Sequence, residues 1–182
     1  MQAEFFIKET INKYNSAKTP VYICSLDAEK AFDTCNWLKL FKALYNRQVV
    51  PNVVLKFVIK SYLQGEAPVR YKNTFSDKFM FSQGVRQRSI LSPFLYNHYT
   101  EKLIESIQSM NVGTKIVGNI NTPIVTFADD IIILSSPNLK QLQMMLDACA
   151  EHGKQLGIKF NKTKIQFASK RDKREILLLL LY

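Results

Sequence analysis

Two adjacent carboxylates, Asp129 and Asp130, lie inside an apolar stretch that covers residues 124–134. The flanking residues are mostly Val, Ile and Phe, which favour buried strands, so the stretch predicts a hairpin with the acidic pair between its two arms. Burying an unpaired carboxylate costs several kcal/mol, and a second one adds like-charge repulsion. The pair is therefore either an acidic turn in solvent or part of a site for a divalent cation.

A further carboxylate from a distant segment would complete such a site, because two-metal phosphoryl transfer draws its ligands from separate parts of a chain. Asp27 directly follows an apolar strand predicted over residues 21–26. An Asp at this place can equally be a helix cap. Magnesium accepts only a few protein carboxylates and completes its coordination shell with water and substrate phosphates. The nearby Glu29, Lys30 and Asp33 are expected to be solvated or capping.

Composition and charge limit the kinds of protein and partner to be expected. Lys and Arg outnumber Asp and Glu by 25 to 15, and the net charge of +10 favours a polyanionic partner such as nucleic acid. A chain of 182 residues with 47% hydrophobic residues is expected to form one folded domain. Cys24, Cys35 and Cys149 are odd in number and lack paired His, which predicts reduced core thiols of an intracellular protein. The longest apolar run, residues 176–181, is too short to span a bilayer, so no membrane partner is expected.

The elements that must position the carboxylates follow from the spacing of apolar residues. Helical spacing predicts a helix over residues 3–18 and another from Pro51 to about residue 63. Between them, a helix with Asp33 as its cap carries an apolar face formed by Trp37, Leu40, Phe41 and Leu44. Period-two alternation predicts a hairpin in which residues 69–71 pair with residues 79–81 around a turn at 73–77.

The second half of the chain continues this alternation of elements. Ser92 and Pro93 predict a helix start with Ser92 as the N-cap. After the acidic hairpin, a helix carries Leu139, Leu142, Leu146 and Cys149 on its buried side, and residues 157–160 predict a closing strand. The order α, β, α, α, β, β, α, β, β, α, β predicts an α+β fold with helices on one face of a mainly antiparallel sheet.

Three motifs in fixed order resemble those of reverse transcriptases. Residues 25–33 (SLDAEKAFD) are similar to the first catalytic motif, residues 83–93 (QGVRQRSILSP) to the second palm motif, and residues 127–130 (FADD) to the third. Residues 157–161 (GIKFN) resemble the segment that leads into the fourth. The residues of these motifs are most similar to those in reverse transcriptases of non-LTR retrotransposons, the long interspersed elements. The resemblance covers the chain from Phe5 to about residue 167.

This resemblance implies a polymerase palm with a ferredoxin-like core, in which the fingers are incomplete and the thumb is missing. Residues 1–168 would form the palm core with partial fingers. Residues 169–182 would be a basic, Leu-rich tail that is unlike anything in the family. The chain would then be a fragment of a longer open reading frame.

The resemblance also assigns a metal site. Asp27 and Asp129 would be direct ligands of two Mg²⁺ ions, with Asp130 as the third carboxylate and Mn²⁺ as the alternative ion. Either Lys162 or Lys164 would donate a proton to pyrophosphate, and the resemblance does not choose between them.

At the substrate side, the resemblance assigns residues to the nucleotide and to the template. Phe32 matches the aromatic position that excludes the 2′-hydroxyl of a ribonucleotide, with an ordinary core Phe as the alternative. Gln87 would lie against the incoming nucleotide and the template base, and Ala28 is a further nucleotide-binding candidate. The residues that would shape or contact the template and primer are Gly84, Arg86, Ser92 and Pro93.

The implied reaction is RNA-directed DNA synthesis, in which a primer 3′-hydroxyl attacks the α-phosphate of a deoxynucleoside triphosphate. The implied partners are an RNA template, a DNA primer and the nucleotide. Arg70 and Lys72 are candidate contacts to the nucleic-acid backbone, with a solvated hairpin face as the alternative. Arg88 departs from the family, which has Gly there, and so a catalytically inactive remnant that only binds nucleic acid is the alternative function.

Two other classes rank lower. A small RNA-binding sheet module would stack bases on aromatic side chains, but its Gly-Phe-rich sheet motif is absent from the sequence. A viral RNA-templated RNA polymerase usually has Gly where this chain has Ala128.

Overall fold

The computed structural model describes residues 2–115, 120–127, 130–161 and 166–169. The helices are α1 (Gln2–Ser16), α2 (Trp37–Asn46), α3 (Asn52–Leu63), α4 (Leu91–Ser109) and α5 (Leu139–Leu156). The strands are β1 (Tyr22–Asp27), β2 (Glu66–Ala67), β3 (Arg70–Tyr71), β4 (Thr74–Phe75), β5 (Phe79–Met80), β6 (Ile124–Phe127), β7 (Asp130–Ser135) and β8 (Gln166–Ser169). The α+β class with an antiparallel main sheet confirms the sequence prediction.

The chain forms two compact units, one from Met1–Ala31 with Thr100–Tyr182 and one from Phe32–Tyr99. The first unit holds the four-stranded sheet, in the order β6-β7-β1-β8. Strand β1 is therefore an interior strand and pairs with β7 on one side and with β8 on the other. The predicted hairpin around the acidic pair is present as β6 and β7.

One face of this sheet is covered by helices. Cys24 and Leu26 of β1 are buried opposite Ile133 and Ile131 of β7. The apolar residues of α4 and α5 that complete this core are Leu103, Ile107, Leu142, Met145, Leu146 and Cys149. Because successive side chains along a strand point to opposite faces, the intervening residues of β1 and β7 point away from the helices.

Helix α5 confirms most of its prediction, because Leu142, Leu146 and Cys149 are buried. The Asn138 side chain caps its first turn by accepting a hydrogen bond from the Lys140 N–H at 2.8 Å. At the other end Gly157, with φ of 87°, forms a left-handed C-cap.

The second unit contains α2, α3, the first turns of α4 and two small hairpins. Helices α2 and α3 bury Leu40, Leu44, Leu55, Val58 and Tyr62. Helix α3 begins at Asn52, one residue after the predicted start at Pro51, which is its N-cap.

The predicted pairing of residues 69–71 with residues 79–81 is wrong. Strand β3 pairs with β4, its Tyr71 opposite Thr74, and β2 pairs with β5, its Ala67 opposite Phe79. A two-residue turn at Lys72 and Asn73, with Lys72 at φ 53°, replaces the predicted five-residue turn. The β3–β4 hairpin therefore lies inside the β2–β5 hairpin, so that the two hairpins are nested.

Three further predictions of local structure are wrong. Helix α2 is capped by Asn36, whose Oδ1 accepts from the Lys39 N–H at 3.0 Å, and not by Asp33. Helix α4 begins before Ser92, so that Ser92 is not its N-cap. Residues 157–160 do not form the predicted closing strand, which is β8, and contribute only one isolated bridge. The reason is that the N–H groups of Gly157 and Ile158 donate hydrogen bonds to carbonyl groups at the end of α5.

Within the described parts of the chain, no helix has both the length and the apolar character needed to cross a membrane.

Candidate active site

Two of the predicted metal-binding carboxylates are directly opposite each other on neighbouring strands. Asp27, the last residue of β1, pairs in register with Asp130, the first residue of β7. Opposed residues of an antiparallel pair have Cβ atoms about 4.5–5.5 Å apart and point to the same face. Both alternate with the buried residues of the helix-covered face, so both carboxylates point to the opposite face. Asp27 is partly buried and Asp130 is exposed.

The backbone at Asp27 is held by the segment that resembles the lead into the fourth motif. The Asn161 N–H donates to the Asp27 carbonyl at 2.8 Å, and the Glu29 N–H donates to the Lys159 carbonyl at 2.7 Å. Between them, Ala28 is buried and forms a bridge with Phe160. The turn after β1 is thus fixed by main-chain bonds on the side where β8 continues the sheet. The buried side chain of Ala28 shows a packing role, and its predicted nucleotide contact stays a prediction.

The donor set fits a hard divalent cation. Carboxylate oxygens are the ligands that Mg²⁺ prefers, and a pair on adjacent strands supplies them without long side chains. Among the described residues, no group of three His, Cys, Asp or Glu side chains is close enough to hold a metal. Asp129, the other predicted direct ligand, lies outside the described residues, as do Lys162 and Lys164.

The second-motif loop of the other unit is anchored to the turn that follows the first motif. The Gly84 N–H donates to the Cys35 carbonyl at 2.8 Å, and the Val85 N–H donates to the Phe32 carbonyl at 2.7 Å. Trp37 Nε1 donates in turn to the Gly84 carbonyl at 2.6 Å. Gly84 has φ of 87°, and a Cβ there would lie 2.8 Å from the Asp33 carbonyl oxygen. Only glycine fits this approach.

Gln87 is bonded to the first motif through its side chain. Its Nε2 donates to Asp33 Oδ1 at 2.9 Å. Both residues line a cavity of about 610 Å³ in this unit, together with Trp37 and Gly84. The structure therefore brings Gln87 and Gly84, both predicted site residues, to one wall of a cavity.

Phe32 is partly buried and packs on an aromatic residue of α4. Its ring centroid lies 5.1 Å from that of Tyr96. Aromatic packing of this kind fixes the ring. The geometry agrees with a core role for Phe32. A ring that excludes the 2′-hydroxyl of a ribonucleotide would also have to be held in place.

Arg86, predicted to contact the template, is engaged within the unit. Its Nη2 donates to the Ser61 carbonyl at 3.0 Å, and its guanidinium carbon lies 5.7 Å from the Tyr62 ring centroid. Ser92 is buried, and its Oγ donates to the Arg86 carbonyl. Pro93 is exposed in the first turn of α4. Arg86 and Ser92 thus brace the loop.

Arg88, the departure from the family pattern, has φ of 61°. This is the left-handed region, which glycine enters freely and which costs other residues about 1–2 kcal/mol. The conformation explains physically why a glycine suits this position, and Arg88 occupies it with strain.

Two residues that line the cavity of the second unit were not predicted as functional. Asp33 was expected to be solvated or capping, and Trp37 to be a core residue. The chain has a single Trp, and an Asp next to the aromatic of a first motif is a weak signal. The contacts of both residues with the second motif span about fifty positions, which local spacing cannot reveal.

The α+β fold with its antiparallel sheet is that of a polymerase palm. Solved structures with this fold include the apo telomerase from Candida tropicalis truncated from its C-terminal domain, with a TM-score of 0.68 at 15% identity over 95% of this chain and 35% of that one. Telomerase from Candida albicans in complex with a fragment of telomeric RNA gives 0.57 at 12% identity, over 94% of this chain and 30% of that one. At these identities the likeness shows the fold alone.

Sequence comparison gives the family. Residues 2–179 match the family described as reverse transcriptase (RNA-dependent DNA polymerase). The chain is 30% identical over 143 residues to the Pol polyprotein of retrotransposable element R2DM from Drosophila melanogaster, which covers 79% of this chain and 13% of that protein. A Pol polyprotein of element R2 from Popillia japonica is 30% identical over 62% of this chain and 16% of its own length.

The chain belongs to the reverse transcriptase family, which confirms the resemblance. It spans less than a fifth of the length of these two retrotransposon relatives.

Proposed function

We propose that this chain is the palm region of an RNA-directed DNA polymerase of the retrotransposon type, which adds deoxynucleotides to a primer 3′-hydroxyl by two-metal chemistry. The proposal rests on the pairing of Asp27 with Asp130 across neighbouring strands. Family membership supports the reaction class, and the net charge of +10 supports a nucleic-acid partner.

The described carboxylates suit this reaction because they are fixed by the sheet. Asp27 and Asp130 are at the ends of paired strands, so their separation depends on sheet register and not on loop conformation. Asp129 is the third member of the proposed set. Two Mg²⁺ ions bound there would activate the attacking hydroxyl and stabilise the leaving pyrophosphate.

Phe32 and Gln87 are proposed to contact the nucleotide, as the family resemblance implies. Phe32 would limit space at the sugar, and Gln87 would lie against the nucleotide and the template base. Both are held to neighbouring groups, Phe32 by the Tyr96 ring and Gln87 by Asp33. Such fixed side chains lower the entropy lost when substrate binds.

The nested hairpins of residues 66–80 are proposed to contact the nucleic-acid backbone. Tyr71 and Phe75 are 72% and 61% exposed. Arg70 lies 5.8 Å from the Phe75 ring, and Lys72 lies 5.5 Å from the Tyr71 ring. Exposed aromatic rings beside cations suit single-stranded nucleic acid, because its bases can stack on the rings and its phosphates attract the positive charges.

A second function, nucleic-acid binding without catalysis, is favoured by one observation. Arg88 carries a long cation on a left-handed backbone, at the position where the family has glycine. A strained, charged residue beside Gln87 would obstruct the nucleotide or the template. The two functions differ in whether replacing this residue restores turnover.

Primer extension on an RNA template tests both functions. The purified chain, and the same chain grafted between the flanking segments of the Drosophila melanogaster relative, would be assayed with Mg²⁺ and with EDTA, each with Arg88 or with Arg88→Gly. Extension that needs Mg²⁺ and rises with Arg88→Gly supports the polymerase. Failure of all four proteins to extend, with RNA binding retained, would establish the binding function instead.

A further inference from the structure

We propose that Asp33 is a positioning residue that fixes the side-chain amide of Gln87 and so determines which hydrogen-bonding atom Gln87 presents to the nucleotide. The proposal rests on the function proposed above for Gln87 and extends it to a residue outside the metal site. It starts from the 2.9 Å bond between Gln87 Nε2 and Asp33 Oδ1.

The carboxylate of Asp33 is available for this task because helix α2 does not use it. Asn36 caps that helix, with its Oδ1 accepting from the Lys39 N–H. Asp33 lies three residues before this cap and makes no cap hydrogen bond to the helix. Its Oδ1 points instead to the second motif, where it accepts from Gln87.

The bond selects one orientation of the Gln87 amide. An ionised carboxylate can only accept hydrogen bonds, so the NH₂ group of Gln87 must face Asp33. Gln87 Oε1 therefore lies on the opposite side of the Cγ–Cδ bond axis from Nε2, and it is directed away from Asp33. The occupant of the site that Gln87 faces must then supply a hydrogen-bond donor to Oε1.

The main chain makes this arrangement rigid. Three hydrogen bonds tie residues 84 and 85 to residues 32, 35 and 37. The missing Cβ of Gly84 allows the Asp33 carbonyl to approach, since a Cβ would lie 2.8 Å from that oxygen. Asp33 and Gln87 thus belong to segments that are already locked together, and one charge-assisted bond suffices to orient the amide.

Single-nucleotide addition by the grafted protein tests the proposal through kinetics. We expect Asp33→Ala to raise the KM for dGTP about tenfold with kcat within about twofold, because the free amide rotates and binds the nucleotide less well. Asp33→Asn keeps an acceptor oxygen and should stay within about threefold of the unmodified KM.

A double-mutant cycle separates positioning from a structural role. If Asp33 acts through Gln87, the Asp33→Ala, Gln87→Ala protein has the same KM as Gln87→Ala alone. Additive losses would overturn the proposal. The matched control is Asp147→Ala on α5, where Gln143 Nε2 donates to Asp147 Oδ1 at 2.7 Å, and we expect no change in KM.

Nuclear magnetic resonance gives a readout that needs no activity. The Gln87 side-chain NH₂ should be protected from solvent exchange in the unmodified chain and in Asp33→Asn, and should lose that protection in Asp33→Ala, while the Gln143 amide stays unchanged. Equal exchange at Gln87 in all three proteins would refute the positioning role. If primer extension is absent but the Gln87 amide is protected, the proposed polymerase function is refuted while the Asp33–Gln87 hydrogen bond is confirmed.

Discussion

Arg88 adopts a left-handed backbone conformation with φ of 61°. We expect Arg88→Gly to stabilise the chain by about 1 kcal/mol, because release of the backbone strain exceeds the extra entropy of glycine in the unfolded state. Urea denaturation followed by circular dichroism measures the change. Arg88→Ala keeps the Cβ and should give no such gain. Equal stabilisation by both variants would show that the charge, and not the backbone, is the source.

Gly84 and Gly157 share a φ of 87° but differ in surroundings. A Cβ on Gly84 would meet the Asp33 carbonyl at 2.8 Å, whereas a Cβ on Gly157 would meet nothing within 4 Å. We expect Gly84→Ala to cost about 3 kcal/mol and Gly157→Ala about 1 kcal/mol, since only the first adds a clash to the backbone strain. Thermal or urea unfolding measures both costs. Equal costs would contradict the close packing of the two motifs.

At this scale the sequence predicts which strand ends carry carboxylates better than it predicts side-chain contacts. The strand-end positions of Asp27 and Asp130 could be predicted because carboxylates beside apolar strands are unusual and expensive to bury. The bond between Asp33 and Gln87 could not, because it joins residues 54 positions apart. Either side chain alone is an ordinary solvated group.

The nested hairpins show where element prediction fails. Alternation of apolar and basic residues correctly indicates strands at 70–71 and 79–80, but it does not determine the pairing partner. The turn at Lys72 and Asn73 determines it, and a left-handed Lys is not a standard turn signal. Helix α5 was easier to predict, because its apolar face repeats over five turns.

Charge on the hairpins can be tested through salt dependence. Replacing both Arg70 and Lys72 by Ala should lower the slope of log affinity for single-stranded RNA against log salt by about 1.4, since each lost phosphate contact removes about 0.7. Filter binding from low to moderate salt measures the slope. The matched control replaces Lys140 and Lys154, which are exposed on α5. An equal change in both double variants would mean that the effect reflects net charge alone.

At the scale of the whole molecule, the three thiols are buried and free. Burial raises the pKa of Cys24 to about 11 and the pKa values of Cys35 and Cys149 to about 12. Ionisation of the thiols then favours the unfolded chain above pH 9, where the unfolded thiols ionise first. Stability should therefore be constant below pH 9 and should fall as the pH rises towards 11–12.

The pH dependence of the urea midpoint measures this loss. Cys149→Ala lowers stability at every pH through its lost packing, but we expect it to show a shallower fall above pH 9 than the unmodified chain. Parallel curves for the two proteins would indicate that other groups, such as the buried Tyr62 and Tyr99, whose pKa values burial also raises, dominate the alkaline response.

The fold class and the family could be predicted because ordered motifs and element order are properties of the chain itself. The local boundaries could not. Residues 157–160 have strand-like composition, but Gly157 and Ile158 complete the C-terminal cap of α5. The described strand that pairs with β1 on this side is β8. The local capping bonds of α5 overrode the strand preference of residues 157–160.

Single-nucleotide addition on an RNA template, compared between the unmodified chain and Asp27→Asn, is the most direct test of the proposed metal site. Both proteins would carry Arg88→Gly and the grafted flanking segments, and Asp147→Asn would be the control. We expect Asp27→Asn to lower kcat at least about a hundredfold at saturating nucleotide, because the amide removes a charged ligand from the site. Asp147→Asn should leave kcat unchanged. Full activity in Asp27→Asn would contradict the assignment of the paired strand-end carboxylates as the catalytic centre.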